Sequence, residues 1–460
     1  MPWSTMSSDI VHEILISLPD FKTLSAAITV SKAFYDVFQI HPKSITHAVA
    51  RNVVGPALPQ AARLAHYVHQ RSSDNDDSRV QLLPDESQFQ DSQWRLDRHI
   101  AGTLEEHARA VRTLEDFYSL RHKDRTSPSS ALEWTEALRF RRAVYRYMLC
   151  YDLLTHEGFS RAEDSDTTDD DDDEEHDMEN NIEAVQAQCT KFFEDYSSEE
   201  LFELLEICAF AKDTKLWHFR ACWEIGAPFQ PAEETPVDLV LLATQLEERR
   251  PDSTYYDQYV GHEPISKAVA EALRARKVPE ARLKERATRA IVTFVHGDKD
   301  CCSRCHAECG VALLGQSNLS TLAGILSFRE RVLLLPGLLP RNQDEKLALL
   351  RHFHNQHRVH DEALICEMMD MEVDGEDADD GQWSKDEWYC LECIKQLFRQ
   401  RFMLWWRDAK LRSGAPPKED CWYGYNCRTM THRPSHATKL NHLCKPTRGE
   451  APHLTPGNPQ

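Results

Sequence analysis

Residues 6–45 read MSSDIVHEILISLPDFKTLSAAITVSKAFYDVFQIHPKSI, and the spacing of their apolar residues predicts three short helices. Ile10, Ile14, Leu15 and Leu18 make one face of the first. Pro19 ends it, because proline lacks the amide that a helix interior needs. Asp20 is placed to cap the second helix, which carries Phe21, Leu24, Ala27 and Ile28. Ser31 is placed to cap the third, with Phe34, Val37 and Phe38. So short a unit cannot bury all of these groups internally. Part of its surface is expected to dock on the rest of the chain or on a partner.

Helical spacing continues beyond this segment. Ser130-x-x-Glu133 and Ser197-x-x-Glu200 have the capping-box pattern. The first precedes Trp134, Leu138, Tyr145 and Leu149, and the second precedes Leu201, Leu204, Leu205 and Cys208. Residues 266–276 and 344–368 also read as helices, and sustained strand alternation is absent. The expected fold class is therefore mostly α. The expected organisation is a three-helix motif over 1–50 and helical regions over 51–162 and 181–292. A Cys/His-rich region follows over 293–448, with a disordered tail over 449–460.

Charge marks the linkers. The chain carries a net −21, and residues 163–179 (EDSDTTDDDDDEEHDME) contribute 12 acidic groups with no Lys or Arg. Such a run repels itself and has no apolar face, so 163–180 is expected to be a disordered linker. The acidic stretch 372–380 is expected to be a second insert of the same kind. Only 16 of 460 residues are glycine, which weighs against glycine-rich phosphate loops, and the common nucleotide and hydrolase motifs are absent. No apolar stretch approaches the roughly 20 residues of a membrane span, and the N-terminus lacks the pattern of a secretory signal. The expected setting is intracellular, cytoplasmic or nuclear, where thiols stay reduced.

That setting gives meaning to the cysteines. Ten of the 14 lie between Cys301 and Cys444. Cys302-x-x-Cys305 and Cys390-x-x-Cys393 are two pairs whose spacing lets two thiolates reach one tetrahedral Zn²⁺. The second pair leads into Ile394, Leu397, Phe398, Phe402 and Trp405, an apolar helical face, as in a treble-clef-like site. A helix N-terminus also favours the thiolate form. Cys301 and Cys309 are alternative ligands nearby. A second constellation, Cys421-x5-Cys427-x8-His436-x5-His442, offers two thiolates and two imidazoles in short loops, with His432 and Cys444 close by. One or two structural zinc sites are expected. His352, His354, His357 and His360 read instead as a solvated helix face, the apolar stripe being Leu347, Leu350 and Phe353. Trp405 and Trp406 read as core. Cys150, Cys189, Cys208 and Cys222 read as small buried hydrophobes.

Two resemblances follow from these residues. The N-terminal segment resembles the F-box, a three-helix motif that binds the Skp-type adaptor of cullin–RING ubiquitin ligases. Met6-Ser7-Ser8-Asp9-Ile10 stands where the family has L-P-x-E-I, Ile14-Leu15 stands for its I-L pair, and Val30-Ser31-Lys32-Ala33-Phe34 matches its V-S-[KR]-x-[FW] segment. The resemblance implies adaptor contact through Met6, Ile10, Ile14, Leu15, Leu18, Leu24, Ile28, Val30 and Phe34. The C-terminal constellation resembles the poly(ADP-ribose)-binding zinc finger, with Tyr423-Gly424 in the first loop and Arg428 after the second cysteine. It implies that Tyr423 and Arg428 meet an anion. Residues 394–448 carry a net +9, which suits nucleic acid or poly(ADP-ribose). No catalytic constellation is present. The expected function is a non-enzymatic substrate-recognition subunit of a cullin–RING (SCF) ligase, partnered by a Skp-type adaptor, the cullin ligase and a protein substrate. The alternative is a zinc-dependent binder of an anionic polymer.

Overall fold

The computed structural model describes residues 6–73, 85–91, 94–163, 192–222, 237–248, 264–286, 289–355, 361–371 and 383–448. Both acidic runs, apart from Glu163, lie outside these residues. So do Cys189, His357, His360 and the side chains of Cys222 and His354. The described chain is mostly helical and contains no strand, only three isolated bridges. None of its helices is long and apolar enough to cross a membrane.

The chain divides into two compact units. The first comprises residues 1–119, 129–215 and 230–294, and the second comprises 120–128, 216–229 and 295–460. The short segments 120–128 and 216–229 thus belong with the C-terminal Cys/His-rich region.

The first unit opens with α1 (Ser8–Ile16), α2 (Phe21–Val30), α3 (Lys32–Ile40) and α4 (Pro42–Val54). The caps explain the boundaries. The Ser7 hydroxyl accepts the Ile10 amide, Asp20 accepts the Thr23 amide, and Ser31 accepts the Phe34 amide. The hydrogen bond from Thr23 holds the Asp20 carboxyl below its ordinary value. Proline stands in the first turn of α4, where no amide partner is required. The three-helix motif is not isolated. The Asn52 side chain of α4 donates to the carbonyls of Ile16 and Leu18 at 2.8 and 2.9 Å. α5 (Leu58–Ser73), α6 (Arg98–His122), α7 (Trp134–Glu163), α8 (Ser198–Cys222), α9 (Leu239–Glu248), α10 (Pro264–Ala275) and α11 (Glu280–Arg286) follow. Phe140, Tyr145, Tyr147, Phe193 and Phe202 fill the core. Cys150 and Cys208 are buried in it, as their contexts predict.

Helix starts test the capping patterns. At α8 the box is complete: the Ser197 amide donates to Glu200 at 2.9 Å, and the Glu200 amide donates to the Ser197 hydroxyl at 3.3 Å. At α7 it is not. The Ser130 hydroxyl donates to Glu115, and the Glu133 amide is taken by Glu136, so the helix begins at Trp134. Buried carboxylates of α6 and α7 outcompete the local pattern. Trp134, expected on the inward face, stands 68% exposed at the helix start.

Partly buried ion pairs join α7, α8 and the turn at Glu86–Phe89. Arg146 bonds Glu86 at 2.8 Å and Glu200 at 2.9 Å, and Arg142 bonds Glu203 at 2.6 Å. Burial raises the Glu200 carboxyl, but the Arg146 charge and the Ser197 bonds outweigh it and hold it at about 2. A carboxyl depressed in the folded state contributes stability above its unfolded value, near 4.5, and loses it as pH falls towards 2. Glu200→Gln is therefore expected to lower the melting temperature at pH 7, with the deficit fading between pH 4.5 and 2. A deficit independent of pH, in thermal melts followed by circular dichroism, would contradict this.

The second unit contains α12 (Leu322–Ile325), α13 (Phe328–Leu333), α14 (Gln343–Asn355), α15 (Asp361–Asp370), α16 (Leu391–Arg412) and α17 (Pro434–Lys439). α16 is its axis, with Ile394, Leu397, Phe398 and Phe402 fully buried. Trp405 and Trp406 are core, as their pattern predicts. Two details of α14 differ from expectation. Leu349 is buried and Leu347 is 41% exposed, so the inward stripe is rotated from the one read in sequence. The rotation follows Glu345, whose buried carboxylate receives Trp406 Nε1 at 2.9 Å and Lys410 Nζ at 2.7 Å. It also carries His352 onto the rings of Trp405 and Trp406 at 5.8 and 5.2 Å, so His352 is half-buried rather than solvated.

Candidate functional site

Among the described residues, two clusters of side chains that could hold a metal lie in the second unit, and their residues are the eight that the spacing singles out. The first begins in a tight reversal of the chain. The Cys302 amide donates to the Ala307 carbonyl, the His306 amide to the Cys302 carbonyl, and the Cys309 amide to the Asp300 carbonyl. His306 adopts a positive φ of 58°, and this turn sets Cys302 and Cys305 side by side. The second pair comes from a helix start: Cys390 is the N-cap of α16 and Cys393 sits in its first turn. Backbone bonds between Leu314 and Tyr389, at 2.8 and 2.9 Å, and from the Ser303 amide to the Trp388 carbonyl at 2.8 Å clamp the two pairs together. The 84 residues between Cys305 and Cys390 include α12 to α15, which pack in the same core and so do not separate the pairs.

The Sγ atoms of Cys302 and Cys393 are 3.6 Å apart, as are those of Cys305 and Cys390. A tetrahedral site with bonds of about 2.3 Å separates its sulfurs by about 3.8 Å, so the set fits a metal. The Cys390 amide points at Cys302 Sγ at 3.2 Å. Burial raises the Cys302 thiol, but the amides of Cys305, Cys390 and Arg304 outweigh it and bring it to about 6. Cys393 is pushed well up, by burial first and then by the neighbouring sulfurs. Four thiols this close cannot all ionise unless a cation joins them, so the set could hold a metal ion. Cys301 is exposed with its thiol towards the Lys299 carbonyl at 3.7 Å, and Cys309 is half-buried; neither belongs to the set.

The second cluster is Cys421, Cys427, His436 and His442. His436 Nε2 lies 3.3 Å from Cys427 Sγ and 3.8 Å from Cys421 Sγ. His442 is fully buried, and neither ring nitrogen has a protein hydrogen-bond partner. Burial, and then the charge of His436, push it down to about 4, so its ring is neutral and offers a lone pair. A buried imidazole without partners beside two thiols is what a metal ligand looks like before the metal is considered. Cys444 does not join them: its thiol donates to the carbonyls of Asn441 and Cys421. His432 is exposed and outside the cluster. Periodicity does not mark Asn441, whose carbonyl takes the Cys421 amide at 2.9 Å and whose side chain donates to Asp420.

This cluster is not a separate finger. The Leu338 amide donates to the Tyr425 carbonyl at 2.8 Å, and the Asn342 side chain reaches Met430 Sδ at 3.5 Å. The residues expected to meet an anion are at the surface: Arg428 is exposed and Tyr423 is 50% exposed. Beside them Trp422 is 61% exposed, with the Arg448 guanidinium 4.2 Å above its ring. Much of the basic excess is engaged within the unit. Arg401 caps α15 through the carbonyls of Met368 and Met369, Lys410 pairs with Glu345, and Arg412 pairs with Glu367.

In the first unit, the residues that the F-box resemblance marks fall into three groups. Leu15, Leu24 and Phe34 are at most 5% exposed and hold α1 to α4 together, so they are core and not surface. Ile10 and Val30 are 51% and 64% exposed. Met6, Ile14, Leu18 and Ile28 are half-buried at the edge of the core. Tyr35 and Ile40, which the pattern does not mark, are 50% and 67% exposed. No protein family, curated protein or solved structure matches the chain.

Proposed function

We propose that this chain is a non-catalytic, F-box-type receptor. α1 to α3 hold a Skp-type adaptor of a cullin–RING ubiquitin ligase, and the remainder holds a protein substrate. Such a subunit acts by raising the concentration of substrate beside the ubiquitin-charged enzyme. The observation that carries the reading is the set of aliphatic side chains left in water on α1 to α3: Ile10, Val30 and Ile40, each more than half exposed. Each helix is capped and its inward face is satisfied, so these groups do not serve the fold. A partner covering them gains about 25 cal/mol for every Å² of apolar surface removed from water.

Zinc is the metal we assign to both clusters. Four thiolates, or two thiolates with two imidazoles, suit its tetrahedral preference, and four protein ligands leave no open position for chemistry. The role is structural. An anionic-polymer reading of the C-terminal segment is weaker, because Arg401, Lys410 and Arg412 are internally engaged and Arg448 covers Trp422.

The test is co-purification of the full chain with a Skp-type adaptor. Wild type is expected to be captured. Ile10→Asp/Val30→Asp is expected to reduce capture at least about tenfold with an unchanged circular dichroism spectrum, since each substituted side chain is already solvated. Absence of capture of the wild type, or equal capture of the variant, rejects the reading.

A further inference from the structure

We infer that Cys309 makes the first cluster a redox-sensitive switch, in which a peroxide joins Cys309 to Cys390 in a disulfide and so takes one ligand from the metal. The inference rests on the zinc assignment above and is independent of adaptor docking by α1 to α3. Four sulfurs complete a structural zinc site, and here a fifth stands against them. The chain reversal puts it there. Cys301 lies opposite Glu308, with the Cys302 amide donating to the Ala307 carbonyl at 2.9 Å and the Cys309 amide to the Asp300 carbonyl at 3.0 Å. In an antiparallel pairing, alternate side chains share a face, and so do residues directly opposite each other. Asp300 and Cys302 therefore point the same way, and Cys309, opposite Asp300, points with them. Cys301 points to the other face, and its thiol is exposed. Cys309 is half-buried and packs against the core that holds Cys302, Cys390 and Cys393. Its thiol is a hydrogen-bonding neighbour of the Cys390 sulfur.

The chemistry follows from that contact. Cys309 is not a ligand, so its sulfur keeps its electron pairs for an oxidant that reaches it from solvent. The thiol gives two electrons to hydrogen peroxide. The O–O bond breaks, one oxygen stays on Cys309 as a sulfenic acid, and the other leaves as water. The Cys390 thiolate then attacks the Cys309 sulfur. An S–S bond forms, the S–O bond breaks, and the oxygen leaves as hydroxide. The metal is left with Cys302, Cys305 and Cys393, one sulfur short of its tetrahedron. The second cluster has no such neighbour. Its spare thiol, Cys444, donates to the carbonyls of Asn441 and Cys421 and not to a ligand sulfur. A reductant that opens the disulfide returns Cys390 to the site, so the switch is reversible.

The test is zinc release from the full-length chain under hydrogen peroxide, followed with a chromogenic zinc chelator, with disulfides mapped by mass spectrometry after proteolysis. Wild type is expected to release one of its two equivalents, to contain the Cys309–Cys390 disulfide, and to take the metal back after a phosphine reductant and fresh zinc. Cys309→Ser is expected to purify with both equivalents, which shows that it folds, and to release the first at least about fivefold more slowly. Cys301→Ser, at the exposed thiol of the other face, is expected to behave as wild type. No release from wild type, release from Cys309→Ser at the wild-type rate, release without that disulfide, or zinc missing from Cys309→Ser before oxidation would each overturn the switch. Fewer than two equivalents in untreated wild type would reject the zinc assignment and the switch with it, and would leave adaptor capture untouched.

Discussion

Cys302→Ser is expected to leave the purified chain with one equivalent of zinc instead of two and to destroy the tertiary packing of the second unit. Cys302 is the junction of the first cluster. Its sulfur lies 3.6 Å from that of Cys393 and receives the Cys390 amide. A serine oxygen is a harder and poorer zinc ligand than a thiolate, so three thiols remain around a weakened site. Structural zinc in small zinc-finger peptides contributes about 10–16 kcal/mol, which equals or exceeds the whole stability of a typical domain, about 5–15 kcal/mol. The loss is transmitted directly. Cys390 starts α16, and the turn after Cys393 brings in Ile394, Leu397 and Phe398, all fully buried. Metal content by plasma mass spectrometry and near-ultraviolet circular dichroism read both effects, because Trp383, Trp405 and Trp406 sit in this core. His442→Ala is expected to remove the other equivalent. Two equivalents in Cys302→Ser, or none in wild type, would dispose of the zinc assignment.

The ligand pairs of the two clusters are legible in the sequence because paired ligands lie three to nine residues apart, a distance at which local geometry brings them together. The choice of Cys302 over Cys301 and Cys309 is not legible. It depends on which residue of the reversal faces α16, and that is set by the pairing of Leu314 with Tyr389, 75 residues apart. The helices of residues 6–45 are legible for a similar reason, their caps being three residues from the amides they bind. What periodicity could not separate is the face that closes on its own unit from the face left in water. Leu15 and Ile10 both belong to the first helix's apolar set, yet one is buried and the other half exposed, because Val11 takes the inward place beside Leu15. At Ser130 the local capping pattern fails against the buried Glu115 carboxylate from a different helix. Segments 120–128 and 216–229 carry no sequence mark of belonging with the C-terminal region. Their membership rests on contacts such as Arg125 to Asp300 at 2.5 Å and Trp217 Nε1 to the Thr321 carbonyl at 2.7 Å, made across more than 100 residues.

Gly424→Ala is expected to cost the second cluster its metal while leaving the first intact, although residue 424 is not itself a ligand. Gly424 adopts a φ of +42°, in the left-handed region where a side chain costs about 1 kcal/mol or more. Steric overlap costs more. A methyl group there would lie 2.2 Å from the Cys444 carbonyl oxygen and 2.9 Å from the backbone of Lys445 and Pro446. Those atoms cannot give way. The Cys444 carbonyl accepts the Tyr425 amide at 3.1 Å, and the amides of Thr447 and Arg448 are tied to the Trp422 carbonyl at 2.8 and 3.0 Å. Relief must come from the turn at residues 421–427, which displaces Cys421 or Cys427 from the metal position. Strain of about 3 kcal/mol or more, at about 2–4 °C per kcal/mol for a domain of this size, gives a fall in melting temperature of at least about 6 °C before metal loss is counted. The measurement that discriminates is stoichiometry with the thiols left to report. Gly424→Ala should bind one equivalent of zinc and expose Cys421 and Cys427 to alkylation, while Cys302, Cys305, Cys390 and Cys393 stay protected. If all eight ligands remain engaged, the backbone around Cys444 is more yielding than its hydrogen bonds imply, and the rigid-turn account of this centre fails.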